Sequence, residues 1–270
     1  MAILSRTLVL LILILGSAKA IADEPIDVYV AAYEFPPFYS KEMPTHLVGE
    51  MITSLNFMQS NYRFILREVP VTARYQALAT DGCCDVMFFE TPEWGWSQGA
   101  TRHSIDLGVT TPITRGSERF VMRKREGIKD IDFSDYRNKR IGGIAGYHYG
   151  FTGKRTTTEL LESEYGMYLS NSHMTNIRML MNDRLDMIML TDEFIASLKN
   201  TEYYKKLAFA PEPDNSYMLS MLVNNDKAID VHIMSDLLKQ LNSEGELDAL
   251  FRSFNLMSFQ IQAPFQNTDS

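Results

Sequence analysis

Apolar positions along this chain alternate between two rhythms. Ile26–Ala32 is a short apolar run of strand character, and Leu47, Val48, Met51, Ile52, Leu55 and Met58 then fall at helical spacing. Tyr62–Val69 alternates like a strand, Ala73–Thr80 is helical with Gly82 at the expected stop, and Asp85–Phe89 is a buried strand. Val109–Ser117, rich in Thr, Pro and Gly, interrupts this pattern and reads as a crossover. Strands are predicted over Arg119–Lys124 and Arg140–Ala145, helices over Thr156–Glu164 and Thr175–Asp183, and a strand over Leu185–Leu190. After a second polar break, Pro211–Asn215, come strand Tyr217–Val223 and helices Ala228–Leu241 and Glu244–Phe254. Short strands alternating with helices indicate an α/β fold with mainly parallel sheets. The two breaks suggest that the first and last blocks share one lobe and the middle block forms another.

Composition refines this picture only slightly. The 270 residues are 45% hydrophobic and 22% charged, as in ordinary globular proteins. A net charge of −8 repels phosphate backbones, so nucleic acid is not an expected partner. The N-terminus carries Arg6, an unbroken apolar run from Leu8 to Leu15, and small residues at Ala18-Lys19-Ala20 or Ala20-Ile21-Ala22. That is the layout of a secretory signal peptide, too short for a spanning helix, and it predicts export to a bacterial periplasm. Cys83 and Cys84 are the only cysteines, so no disulfide framework is expected. A buried thiol pair is the simpler expectation, although an oxidising compartment permits a vicinal disulfide.

Ligands of open α/β sheets meet the loops after the carboxyl ends of strands. Here those loops are Tyr33-Glu34-Phe35-Pro36-Pro37-Phe38, Glu90-Thr91-Pro92-Glu93-Trp94-Gly95-Trp96, Gly146-Tyr147-His148-Tyr149-Gly150 and Thr191-Asp192-Glu193. They hold both tryptophans and many carboxylates, the composition of a cleft wall. The five histidines show neither ligand spacing nor a neighbouring Cys cluster, so no metal and no cofactor are expected. No Gly-x-Ser-x-Gly elbow or P-loop occurs.

The order of these motifs resembles the bacterial extracytoplasmic solute-binding proteins of family 3, the substrate-binding components of polar amino-acid ABC importers. The residues that carry the resemblance are the aromatic-Pro-Phe loop, Pro70-x-x-x-Arg74 leading to Gly82-x-x-Asp85, Val109-Thr110-Thr111-Pro112-Ile113, Ile141-Gly142-Gly143-Ile144-Ala145-Gly146, and Leu180-x-x-x-Arg184-Leu185-Asp186 followed by Leu190-Thr191-Asp192-Glu193. The resemblance implies a two-lobed periplasmic binding protein type 2 fold with hinge crossovers. Its divisions are a signal peptide over 1–22, lobe 1 over 23–112 and 214–258, lobe 2 over 113–213, and a polar tail over 259–270. It also implies a small polar solute, an amino acid or related amine, held between the lobes of a monomer and delivered to an inner-membrane ABC permease.

Carried over residue by residue, Phe35 and Phe38 match aromatic packing positions beside Tyr33, and Arg74 matches the family arginine after Pro70. Tyr147 matches a hydroxyl position near a ligand carboxylate, and Asp192 the carboxylate that accepts a ligand ammonium. The chain departs from the pattern after the third strand, where Thr91-Pro92-Glu93-Trp94 has no arginine at the family spacing. Arg102 is the candidate replacement, and Glu90 with Asp192 points to cationic or polyhydroxyl solutes. Each residue also has a plainer reading. Asp192 can cap a helix, Glu90 can be a solvated loop carboxylate, Arg74 a helix-surface cation, Trp94 a hydrophobic brace, and Phe35 and Phe38 core. Two other functions remain open. One is a periplasmic dehydratase-like enzyme with Glu90 as general acid. The other is a sensing partner of a membrane receptor.

Overall fold

The computed structural model describes residues 24–127, 130–259 and 261. The expected signal peptide lies outside them, and of the expected polar tail only Phe259 and Ile261 are described. No described helix is long and apolar enough to cross a membrane.

Two parallel sheets form the centres of the two lobes. In the first, β1 (Ile26–Ala32) lies between β2 (Tyr62–Glu68) and β3 (Val86–Glu90), parallel to both. In the second, β6 (Ile141–Ile144) lies between β7 (Met167–Ser170) and β8 (Met187–Thr191), again parallel. Strands β3, β6 and β8 are buried along their whole length, as expected of parallel strands covered on both faces. Helix α1 (Leu47–Met58) turns Leu47, Val48, Met51 and Leu55 into the first lobe, the stripe read from the sequence. Short α2 (Arg74–Leu78) precedes β3, and α3 (Trp96–His103) follows it. In the second lobe, α4 (Thr158–Tyr165), α5 (His173–Met181), α6 (Asp192–Leu198) and α7 (Glu202–Lys206) accompany the sheet, with the edge strand β9 (Leu207–Phe209).

Two long antiparallel strands join the lobes. β5 (Thr114–Arg123) pairs with β8 and β9 of the second lobe, while β10 (Asn215–Asn224) pairs with β3 and with β4 (Leu107–Val109) of the first. Between those ends the two strands pair with each other, from Thr114↔Leu219 to Glu118↔Asn215. The stretch Val109–Ser117, expected as a crossover, is thus largely strand. Helices α8 (Val231–Ser243) and α9 (Glu246–Ser253) return to the first lobe, where α9 packs on α1 and α8.

Several local expectations are refined. α2 ends at Leu78, so Gly82 is not its left-handed cap. Gly82 is required for a different reason, since a Cβ there would lie 2.2 Å from the Gln76 carbonyl oxygen and 2.4 Å from that of Ala77. In the turn that follows, Cys83 and Cys84 are joined as a vicinal disulfide instead of the expected thiol pair. The turn leaves Cys83 exposed and only Cys84 buried. Helix α3 begins inside the stretch read as a loop, where Gly95 takes a left-handed φ of 79° at its N-cap.

Asp230 caps α8 by accepting from the Ile233 amide at 2.8 Å. Asp230→Ala is expected to lower unfolding free energy by about 1 kcal/mol, read from the urea midpoint, without altering the slope.

Candidate functional site

The parallel strands of both lobes end at the gap between them, and the loops that follow supply its walls. The first is the bend after β1, closed by reciprocal amide bonds between Phe35 and Tyr39 at 2.8 and 3.0 Å and containing a cis Pro36–Pro37 peptide. It brings Tyr33 and Phe35 to the gap. The second follows β3. Phe89 has φ of 60°, a left-handed conformation rare for a bulky residue, and the facing β10 register slips between Ser220 and Leu222. Phe88, Phe89 and Glu90 are all buried at this end of the strand, and the loop beyond them carries Trp94.

A small, crowded cavity lies between the walls. Tyr33, Phe35, Arg74 and Trp94 line it from the first lobe, and Gly146, Tyr147, His148 and Thr191 from the second. The hinge strands add Glu118 from β5 and Tyr217 from β10. The Phe35 ring centre lies 5.7 Å from Trp94, 6.0 Å from Tyr147 and 6.5 Å from Tyr217, and Trp94 lies 5.0 Å from Tyr217. The rings crowd the space so closely that the free room at its centre holds about one water molecule. A larger solute therefore enters only when the lobes part.

Direct contacts hold the lobes together across this space. Arg74 Nη1 donates to the Gly146 carbonyl at 3.2 Å, the Tyr147 hydroxyl donates to the Glu34 carbonyl at 2.8 Å, and Lys154 pairs with Glu93 at 2.8 Å on the surface.

Arg74 and Glu90 form the electrostatic centre of the first wall. Their charges lie 4.0 Å apart, with side-chain exposures of 4% and 0%. Glu90 accepts from the Tyr33 hydroxyl at 2.6 Å and from Trp96 Nε1 at 2.8 Å. Burial pushes the Glu90 carboxyl up from its ordinary value, while Arg74, Tyr33 and Trp96 pull it back. Arg74 donates further to the Val71 and Trp94 carbonyls and to the Tyr75 hydroxyl. His148 Nδ1 lies 3.4 Å from Arg74 Nη2. Burial and the adjacent guanidinium lower its pKa to about 3, so the ring is neutral and Nδ1 accepts.

Of the residues expected at the site, Tyr33, Phe35, Arg74, Trp94 and Tyr147 line the cavity. Phe38 lies behind Phe35, at 4.7 Å, and packs on Phe89 at 4.6 Å within the first lobe. Glu90 does not line the cavity; both its oxygens are engaged behind Tyr33. Arg102 is exposed on α3 and lies outside the cavity. Asp192 faces elsewhere, pairing with Arg119 at 2.5 Å and accepting from Ser117, beside a wider depression on the far side of Tyr217. Thr191, one residue earlier, is the cavity residue and caps α6 through its side chain. Glu118, Thr191 and Tyr217 were not among the expected residues. Glu118 had a readable signal, because it lies two positions before the buried Phe120 on a strand and so shares its inward face.

Three acids gather under the hinge. Glu118 is pushed well above the usual carboxylate range by burial and by Asp214 and Glu193. Glu193 is raised to about 8, mainly by burial. Burial also raises Asp214.

No family model matches the chain, and no curated protein matches its sequence. Solved structures do match its shape. The AvGluR1 ligand-binding domain in complex with methionine superposes with a TM-score of 0.61 at 20% identity, covering 89% of this chain and 97% of that one. The GluR0 ligand-binding core from Nostoc punctiforme, in complex with L-glutamate, gives 0.64 at 13% identity over 85% and 99%. A mutant of ArgBP from T. maritima gives 0.61 at 16% identity over 85% and 95%. The chain has the two-lobed periplasmic binding protein type 2 fold.

Two outcomes follow from the buried groups. Glu90→Ala leaves the Arg74 guanidinium buried without its counter-charge and is expected to cost about 3–5 kcal/mol in urea unfolding. Between the ordinary Glu193 value of 4.5 and its folded value of about 8, the folded chain holds a proton that the unfolded chain has lost, so stability falls as pH rises. Tm is expected to drop across that window and Glu193→Gln to flatten the drop. An unchanged slope in the variant counts against the assignment.

Proposed function

We propose that this chain is an exported solute-binding protein that captures a small polar solute, an amino acid or related amine, between its two lobes. The observation that carries this reading is the cavity itself. Its walls come from both lobes, its floor comes from the two hinge strands, and its two sides are tied by hydrogen bonds that break when the hinge opens. Bound amino acids in the fold neighbours support the same class of ligand. The leader-like N-terminus supports a periplasmic location, and delivery to an ABC-type permease is the expected next step. The lobe boundaries proposed are those near 112 and 213, at the hinge strands.

The direct test is native mass spectrometry of protein purified without denaturation, followed by thermal-shift screening against amino acids, amines and sugars. A small-molecule adduct, or a solute that raises Tm, is the expected result. No response across all three classes removes the proposal. Trp94 sits against Phe35 and Tyr217 at the cavity, so its fluorescence is expected to follow titration with the solute found. Tyr147→Phe removes the 2.8 Å bond to the Glu34 carbonyl that is made only when the lobes close. The expected cost is about 1 kcal/mol, or roughly fivefold in Kd by calorimetry.

A further inference from the structure

The charge balance of the cavity narrows the ligand class beyond the reading above, on which this inference rests. The arginine on its wall is already committed. Arg74 spends Nη1 on the Val71 and Gly146 carbonyls and Nη2 on the Trp94 carbonyl and the Tyr75 hydroxyl. Its remaining Nε has no hydrogen-bond partner and lies 4.0 Å from Glu90. Glu90 therefore neutralises Arg74, and opening the lobes frees only the N–H that met Gly146, on a nitrogen still bonded to Val71, so no bidentate fork is left for an incoming carboxylate.

Glu118 is the opposite case. It is 3% exposed, lines the cavity from β5, and stands in register between Thr191 of β8 and Asn215 of β10. Among the described residues it forms no ion pair. Its charged surroundings are mostly acidic, with Glu193 and Asp214 close by and Lys154 the one cation acting on it. Tyr147, Tyr149 and Tyr217 face it as neutral phenols. The cavity thus holds one carboxyl group without a counter-charge, neutral while the lobes are closed and empty, beneath a wall of Phe35, Trp94, Tyr147 and Tyr217; a cation brought against it favours the ionised form and releases its proton. Aromatic faces attract a weakly hydrated organic cation, whereas metal ions demand several oxygen or nitrogen ligands.

We propose that the interlobe cavity selects a small organic cation without a free carboxylate, an amine or quaternary ammonium, with Glu118 as its counter-charge and Trp94, Tyr217 and Phe35 as its aromatic cage. Phe35 then has a second role. Its ring fills the cavity centre when the lobes close on themselves, and the cation's alkyl groups take that contact when they close on a ligand.

The test is calorimetric titration of the full chain with choline, tetramethylammonium and phenethylamine, set against methionine, glutamate and arginine. At least one of the carboxylate-free cations is expected to bind. Each of the amino acids is expected to bind at least about tenfold more weakly than that cation, or not at all. Glu118→Gln is expected to weaken the cation by at least about tenfold, the scale of a buried charged contact, and Glu118→Asp to retain part of the binding. Should Glu118→Gln fail to fold, Trp94→Leu carries the same test at a half-buried position, again with a loss of about tenfold expected. Amino acids binding as tightly as or tighter than the cations, or cation binding indifferent to Glu118 and Trp94, overturns this inference and leaves the solute-binding reading intact. Silence from every probe and from the wider library removes both.

Discussion

A guanidinium buried at the mouth of a cleft constrains everything around it. Removing Arg74 from water costs several kcal/mol unless its charge and its N–H groups all find partners. The first lobe supplies most of them, through Glu90, Tyr75 and the carbonyls of Val71 and Trp94. The Trp94 carbonyl is within reach because the loop after β3 folds back over α2, and Glu90 is within reach because Phe89 accepts a left-handed φ. The last partner, the Gly146 carbonyl, belongs to the opposite lobe. When the lobes part, water replaces that carbonyl at little net cost, since exchanging one hydrogen bond for another changes free energy by only about 0.5–1.5 kcal/mol. The arginine thus anchors the loops of one jaw firmly and holds the other jaw lightly, which is the balance a ligand needs if its own binding energy is to decide closure.

The hinge is built on a similar economy. β5 and β10 run antiparallel and exchange hydrogen bonds along the span between lobes, so opening can bend two paired strands without unzipping either sheet. Beneath them Glu193 lies so close to Gly116 that a Cβ there would fall 1.7 Å from its Oε1. A glycine at this point lets a carboxyl group lodge against the ladder, and burial keeps that group protonated up to about pH 8. A neutral acid packed on a hinge strand ties the stability of the closed chain to proton concentration, because ionising it in place would strand a charge against the backbone.

Much of the fold was legible because burial and period agree. The α/β character follows from apolar strands separated by helical stripes, the two-lobed layout was implied by the family resemblance, and the aromatic loops are found at the strand ends where they were expected. What the pattern could not supply was side-chain direction at those ends. Thr191 and Asp192 are neighbours, yet one faces the cavity and the other pairs with Arg119 outside it. Strand parity places adjacent residues on opposite faces, and a shift of one position at the boundary with α6 exchanges their roles. Arg102 illustrates a different limit. Its separation from the third strand suggested a replacement for the family arginine, but the intervening residues coil into α3 and carry it to the surface. Glu118 fell between two readings, one residue past the crossover Val109–Ser117 and one before the strand Arg119–Lys124, so its place on the inward face of β5 was not assigned.

A shared fold with amino-acid-binding domains supplies jaws, not the chemistry of the bite. In a closed, poorly hydrated space an unpaired charge weighs more than any number of neutral contacts, because no water remains to screen it. Here the charge of the guanidinium on the wall is answered by Glu90 of its own lobe, and the carboxyl group on the floor, neutral while the space is empty, has no cation paired with it. A zwitterion entering such a site would leave its carboxylate facing aromatic rings and a phenol row, and that carboxylate would oppose the ionisation of Glu118 that its ammonium needs. The same zwitterion stripped of its carboxylate meets the counter-charge and the ring faces together. Discrimination between the two therefore arises from which protein charges are already paired when the ligand arrives, a property set by Arg74 and Glu90 and felt at Glu118.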